Sequence, residues 1–240
     1  MRYLIVSDIH GNWEALEAVL SATAGRFDQV LCCGDLVGYG ADPNRVAEWA
    51  CGNAAVVVRG NHDRAAVGLD DLEWFNPMAK RAALWTQAEL TPGNAAYIRA
   101  LPQGPVRVAD FQLAHGSLVD EDEYLVEEAD AAQSFYYAAV RVSFFGHTHV
   151  QGGFVLGESG IDSFRGPRKV KIESPRYYLL NPGSVGQPRD GDPRAAYAIF
   201  DAGEQVVSYY RLAYDLAAAQ RKIRDAGLPP VLADRLVIGR

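Results

Sequence analysis

The stretch Tyr3-Leu4-Ile5-Val6-Ser7-Asp8-Ile9-His10-Gly11-Asn12 decides the fold. Its four leading apolar residues read as a buried strand that runs straight into a polar cluster. Asn12 stands where a helix N-cap belongs, and Trp13, Leu16, Val19 and Leu20 follow at helical spacing within Asn12–Ala22. The pattern then repeats. Gln29–Cys33 reads as a second strand, Pro43–Cys51 as a helix and Ala54–Val58 as a third strand. This alternation predicts a parallel sheet with right-handed crossovers.

Working outward, the same ending recurs. Asp8 follows Tyr3–Ser7, Asp35 follows Val30–Gly34, and Asn61 follows Val56–Gly60. His115 follows Phe111–Ala114, and His147 follows Val142–Gly146. All five histidines of the chain, His10, His62, His115, His147 and His149, fall in these clusters. Sites in open α/β sheets form in the crevice beyond the carboxyl ends of strands, so five strand ends are expected to converge on one crevice. The candidate ligands are Asp8, His10, Asp35, Asn61, His115, His147 and His149, a set of nitrogen and oxygen donors without sulfur. Seven exceed what one tetrahedral ion needs. Two ions sharing a carboxylate, ~3.5–4 Å apart, are the natural partition. The donors suit manganese, iron or zinc without choosing among them.

Residues 64–101 read as mostly helical, with a break at Thr91-Pro92-Gly93. Val106–Val108 and Phe111–Ala114 flank a turn at Ala109-Asp110, and Glu127–Ala138 reads as a helix. Strands are expected at Val142–Phe145, Gly153–Leu156, Lys169–Ile172, Tyr177–Leu180, Ala196–Phe200 and Gln205–Tyr210. Helices are expected at Leu212–Ala226 and Pro230–Ile238. The expected architecture is a four-layer α/β-β/α sandwich, two mixed sheets flanked by helices, in one domain spanning residues 1–240. Segments 64–101 and 117–140 then form a helical cap or rim.

Bulk properties exclude several classes. With 240 residues, 49% hydrophobic and 22% charged, the chain can bury a core without disulfides. A net charge of −7 argues against a stable nucleic-acid complex, which needs a basic footprint. It leaves room for a small phosphorylated substrate, because bound cations reverse the local charge. Cys32, Cys33 and Cys51 make no disulfide pattern. No run is long enough to span a membrane and the N-terminus lacks signal-peptide character, so a cytoplasmic location is expected.

The ordered set Asp-x-His, Gly-Asp, Gly-Asn-His-Asp, His and Gly-His-x-His over residues 8–149 resembles the calcineurin-like metallophosphoesterases. Asn181-Pro182-Gly183-Ser184 is similar to a stretch in the small bacterial branch of that family. The resemblance implies a first metal on Asp8, His10 and His149, a second on Asn61, His115 and His147, and Asp35 as the bridge. It gives His62 and Asp35 the catalytic roles. His62 faces substrate, stabilises the transferring phosphoryl group and can protonate the leaving oxygen, while water or hydroxide on the metals attacks. Two divalent ions are implied, manganese first, with iron, zinc, nickel or magnesium as alternatives. One departure matters. In the related protein Ser/Thr phosphatases, the Gly-Asp motif continues with an Asp-Arg pair that orients the histidine and grips phosphate. Gly34-Asp35-Leu36-Val37-Gly38-Tyr39 has neither, which argues against phosphoprotein substrates.

Further candidates near the motifs are Asn12, Asp63, Arg64, Asn181 and Ser184. Asn12 is either a helix cap or a phosphate contact. Asp63 could orient His62, and Arg64 could reach phosphate or form a surface salt bridge. Asn181 and Ser184 fit a turn or a supporting role toward a ligand. The expected activity is hydrolysis of phosphodiesters or small phosphorylated metabolites. Hydrolysis of nucleotide pyrophosphates or dinucleoside polyphosphates is the alternative within the class, and a metal-binding scaffold without catalysis is the alternative outside it.

Overall fold

A computed structural model describes residues 1–240. Its first half contains β1 (Arg2–Val6), α1 (Trp13–Thr23), β2 (Gln29–Cys32), α2 (Pro43–Asn53), β3 (Ala54–Val57), α3 (Asn61–Ala66), α4 (Pro77–Glu89) and α5 (Pro92–Arg99). Next come β4 (Val106–Val108), β5 (Phe111–Leu113), α6 (Glu128–Tyr136), β6 (Val142–Phe144), β7 (Gly152–Gly157), β8 (Gly160–Arg165) and β9 (Lys169–Lys171). The chain ends with β10 (Tyr177–Asn181), β11 (Ala195–Asp201), β12 (Val206–Leu212), α7 (Leu216–Asp225) and α8 (Pro230–Ile238).

Two six-stranded sheets result, in the orders β3-β2-β1-β11-β12-β9 and β4-β5-β6-β10-β7-β8. Each has a parallel part that carries the polar clusters, β1-β2-β3 in one and β5-β6-β10 in the other. Antiparallel strands complete both.

Strand alternation explains the layers. Tyr3 and Ile5 of β1 point between the sheets, where they meet Phe111, Phe144, Tyr178 and Phe200. Leu4 and Val6 point the other way, onto Leu16 and Val19 of α1 and Val46 and Ala50 of α2. On the far side Phe135 of α6 packs against Phe145, Phe154 and Leu179. The order is therefore helices, sheet, sheet, helix, the four-layer architecture expected from the sequence. No helix is long and apolar enough to cross a membrane.

Three elements depart from expectation. Strand β8 was not anticipated, because Ile161 and Phe164 are its only large apolar residues and do not alternate. It is an edge strand paired only to β7, mostly solvent-facing, so it needs no apolar face. The helical region begins at Asn61, earlier than residue 64. Helix α7 starts at Leu216 rather than Leu212, because β12 runs through Leu212 and Asp215 caps the helix by accepting from Ala218 N.

Candidate metal centre

The parallel strands of both sheets end at one place. The loop after β1 lies along the loop after β2, with Asp8 N donating to Gly34 O (2.9 Å) and His10 N to Asp35 O (3.0 Å). The second sheet joins through His147 N, which donates to Asp8 Oδ1 at 3.1 Å. These turns are tight enough to force side chains into unusual backbone. Asp8, His10, Asp35, His147 and His149 all have φ between 51° and 64°. Left-handed backbone at a non-glycine residue costs of order 1–3 kcal/mol and concentrates at functional sites. Five such residues in one cluster show a fold that spends stability on aiming side chains.

Two sets of ligand atoms are gathered there. One comprises Asp8, His10, Asp35 and His149, the other Asp35, His115 and His147, all buried, with the atoms of each set within 4.8 Å of one another. Asp35 belongs to both. Asn61 joins the second set, its Oδ1 3.3 Å from His115 Nε2. The geometry thus brings together all seven residues singled out in the sequence.

The imidazoles are oriented by backbone carbonyls. His10 Nδ1 donates to Val37 O (3.0 Å), His115 Nδ1 to Cys33 O (2.8 Å) and His149 Nδ1 to Gln187 O (2.6 Å). A carbonyl only accepts, so all three rings keep a proton on Nδ1 and turn Nε2 inward; His10 and His149 present a lone pair there, and His115 does so once it gives up the second proton that the Asp35 charge holds on it. His147 is reversed. Its Nε2 meets Asp122 O at 3.1 Å, which leaves Nδ1 for a ligand.

The carboxylates complete a fit to cations. Asp35 Oδ1 accepts from His62 N at 2.9 Å, and Asp8 Oδ1 accepts from His147 N. Oδ2 of each is buried with no hydrogen-bond partner, and Asp35 Oδ2 has only the more distant His115 Nε2 (3.4 Å) and His10 Nε2 (3.5 Å) beside it. Buried anionic oxygens without partners are costly. A divalent cation supplies what they lack, and mixed nitrogen and oxygen donors suit one.

In the protein alone, burial pushes the Asp8 carboxyl up to about 7. Burial also opposes ionisation of Asp35, but His115, His62 and His10 outweigh it and hold its carboxyl well below the usual range. Burial drives His10 and His149 well below the ordinary histidine value and His147 to about 3. His115 is the exception. Burial lowers it, yet the Asp35 charge wins and raises it to about 10.

His62 stands apart from the candidate ligands. Its ring is boxed by Tyr39, His10 and Phe75, with centroids 4.3, 5.0 and 5.2 Å away. Gly38, at φ +90°, makes room for it, since a Cβ there would lie 2.8 Å from His62 Nδ1. That nitrogen is buried without a partner. Burial lowers His62 to about 4, so it is neutral near pH 7. It lines a cleft of about 370 Å³ walled by Tyr39, Trp74, Phe75 and Tyr124.

Asp63 does not orient His62. Its Oδ2 accepts from Gly60 N (3.1 Å) and its Oδ1 from Val37 N (3.2 Å), capping α3 and pinning the loop after Asp35. Arg64 is taken up by Asp70 (2.8 Å), Asp122 (2.7 Å) and Glu121, which ties α3 to the loop before α6. Asn12 caps α1 through Ala15 N (3.1 Å) and donates to Gly186 O (2.8 Å). Asn181 donates to Gly146 O (2.8 Å) and Ser184 to Asp8 O (2.7 Å), so both hold the backbone of ligand loops. Sequence reasoning missed Tyr39, Tyr124 and Arg189. Tyr39 packs at a tilt against His10 and His62, Tyr124 against His147 with centroids 3.9 Å apart, and the Arg189 guanidinium lies over the Tyr39 ring. Isolated tyrosines carry no motif. The one signal for Arg189 was its place five residues after Ser184.

Comparison with known proteins bears on this geometry. The profile described as "Calcineurin-like phosphoesterase superfamily domain" matches residues 1–205. An uncharacterized protein of Methanocaldococcus jannaschii is 35% identical over 242 residues, covering 98% of this chain and 97% of its own. The crystal structure of a metallophosphoesterase from Sphaerobacter thermophilus is 40% identical and superposes with a TM-score of 0.88, covering 100% of this chain and 99% of that one. A hypothetical protein from Pyrococcus horikoshii shares the fold at 18% identity, with a TM-score of 0.82 over 100% of this chain and 98% of that one.

Proposed function

This chain belongs to the calcineurin-like phosphoesterase superfamily, and on that premise we propose that it hydrolyses phosphodiesters or small phosphorylated metabolites using two divalent ions, manganese first. The observation that carries the reading is the pair of buried, unpartnered Oδ2 atoms on Asp8 and Asp35, facing inward-turned imidazole nitrogens. Asp8, His10 and His149 would hold one ion, Asn61, His115 and His147 the other, and Asp35 would serve both. When bound, the ions supply Lewis-acid charge to the phosphoryl group and make water more acidic.

The remaining work falls to the chain's own side chains. His62 is neutral near pH 7 and has no carboxylate partner, so its role is that of a hydrogen-bond donor to the phosphoryl or leaving oxygen rather than a standing acid. Tyr39 and Phe75 pack against its ring. Asp63 and Ser184 fix the loops that present Asp35 and Asp8. Hydrolysis of a nucleotide pyrophosphate is the second reading. The aromatic walls of the cleft favour it, since they can stack on a base.

The test is turnover of chromogenic phosphomonoester and phosphodiester substrates with Mn²⁺, beside Asp35→Asn. A rate in the wild type that Asp35→Asn abolishes is the expected result, with the diester faster. Equal null activity in both proteins, with Mn²⁺ still bound by the wild type, would favour the non-catalytic scaffold instead.

A further inference from the structure

The segment from Asn181 to Asp190 leaves β10 and wraps the metal ligands. Val185 N donates to Ser7 O and Gly186 N to Asp8 O, both at 3.0 Å. Gln187 O accepts from His149 Nδ1, and Arg189 N donates to His149 O at 3.2 Å. At Asp190 the segment is fastened to Gln151 N (3.1 Å) and to Arg211. The backbone of Arg189 is thus held rigidly against a ligand residue.

Its side chain is not satisfied in the same way. Three other arginines near the site are paired with acids, Arg59 with Glu121, Arg64 with three carboxylates and Arg211 with Asp190. Arg189 has no acidic partner. Its Nη2 reaches only neutral oxygens, Gln187 Oε1 at 3.1 Å and the Tyr39 hydroxyl at 3.5 Å. Its Nε is buried with no partner at all. The guanidinium carbon sits 5.7 Å from the Tyr39 ring centroid, and the Tyr124 hydroxyl is also within its reach. Tyr39 packs on His10 and Tyr124 on His147, and both line the cleft, so Arg189 sits next to the cleft beside its tyrosine lining. The nearby cation Arg235 adds like charge. A partly desolvated guanidinium beside another cation is unfavourable until an anion arrives, and its planar fork matches phosphate oxygens.

We propose that Arg189 is the substrate-gripping residue of this site, binding oxygens of the substrate's phosphate group beside Tyr39 at the edge of the cleft. Arg64 does not serve, because three carboxylates already neutralise it. The assignment rests on the phosphoesterase reading above but is tested by binding as well as by turnover.

Inorganic phosphate is titrated calorimetrically into Mn²⁺-loaded wild type, Arg189→Gln and Arg189→Lys, with metal content and Tm measured on each. Arg189→Gln should weaken phosphate binding about tenfold or more, and Arg189→Lys less, with metal content and Tm unchanged. The KM for a chromogenic diester should rise more than kcat falls. Unchanged phosphate affinity in Arg189→Gln overturns the assignment, and so does loss of affinity accompanied by loss of metal, which marks a structural role. Phosphate binding that depends on Arg189 in a protein that turns over no ester would uphold the assignment and overturn the enzymatic reading.

Discussion

His10 and His149 point lone pairs at each other. Their Nε2 atoms are 3.0 Å apart, and each ring has committed its proton to a backbone carbonyl through Nδ1. Burial holds both well below the ordinary histidine value, so neither Nε2 is protonated near neutral pH. The contact is repulsive unless a cation lies between the nitrogens. Metal binding should therefore stabilise the fold. Adding Mn²⁺ at about a hundredfold over its Kd to protein stripped with chelator should raise Tm by about 5–10 °C. An unchanged Tm would mean that the pair is held apart by something other than a metal.

The separation of His62 from the ligand sets gives a second expectation. His62→Ala should keep its metal and lose rate by about 10²–10³-fold, the usual cost of one transition-state donor. His147→Ala should lose metal first, because its Nδ1 is the ring nitrogen left free for an ion. Metal analysis beside kcat separates the two, and the reverse pattern would sink the assignment.

The contrast between these residues and Arg189 shows what a sequence can carry. Asp8, Asp35, His115 and His147 were legible because each follows a short apolar run, and an apolar run with a polar end is the local signature of a strand entering a crevice. The four layers were legible for a related reason, since the alternation of Tyr3 and Ile5 with Leu4 and Val6 requires apolar partners on both faces. Strand β8 was not, because an edge strand open to solvent needs no apolar pattern. Nor were the surroundings of Arg64 and Arg189. Both are arginines close to motifs, and only three-dimensional neighbours show that one is neutralised and the other is not. The left-handed backbone at five candidate ligands was hidden as well, because turn geometry forces it against their intrinsic preference.

Gly60 is required for space rather than for an unusual φ. A Cβ there would strike Asp35 Oδ1 and come within 2.6 Å of Asp35 N. Gly60→Ala should therefore displace the shared carboxylate and cost about 2–4 kcal/mol, with loss of bound metal. Gly52 is the control. It lies in α2 with nothing within 4 Å of a built Cβ, so Gly52→Ala should stabilise by about 0.5–1 kcal/mol. Denaturant unfolding of both variants checks the opposite signs, and a harmless Gly60→Ala would show that the loop after β3 can retreat.

His115 makes the stability of the metal-stripped protein depend on pH in an unusual direction. Its folded value is raised to about 10, against an ordinary 6.5, because the buried Asp35 charge outweighs the burial that would lower it. Between those values the folded state holds a proton that the unfolded chain releases. The contribution is therefore complete below about pH 6.5 and is lost as pH rises through 10. His62 and His147 act oppositely, with folded values near 4 and 3, but their contribution is lost only as pH falls below 6.5. Asp8 and Asp63, raised to about 7, weaken the fold as pH climbs to that point and add nothing above it. The window from pH 7 to 10 thus reports His115 among these groups. Stripped protein should lose Tm steadily across it. Metal-loaded protein should hold its Tm up to about pH 9, because a ligand imidazole must be neutral and the ion takes the place of the proton, whereas above that the buried Cys32 and Cys33 thiols, raised well above their ordinary 9.0, weaken both forms. For the same reason, adding Mn²⁺ at pH 7.5 in weak buffer should release protons, and replacing His115 with Gln should reduce that release. A stripped protein with a flat Tm from pH 7 to 10 would show that His115 is neutral there and that Asp35 does not hold it charged.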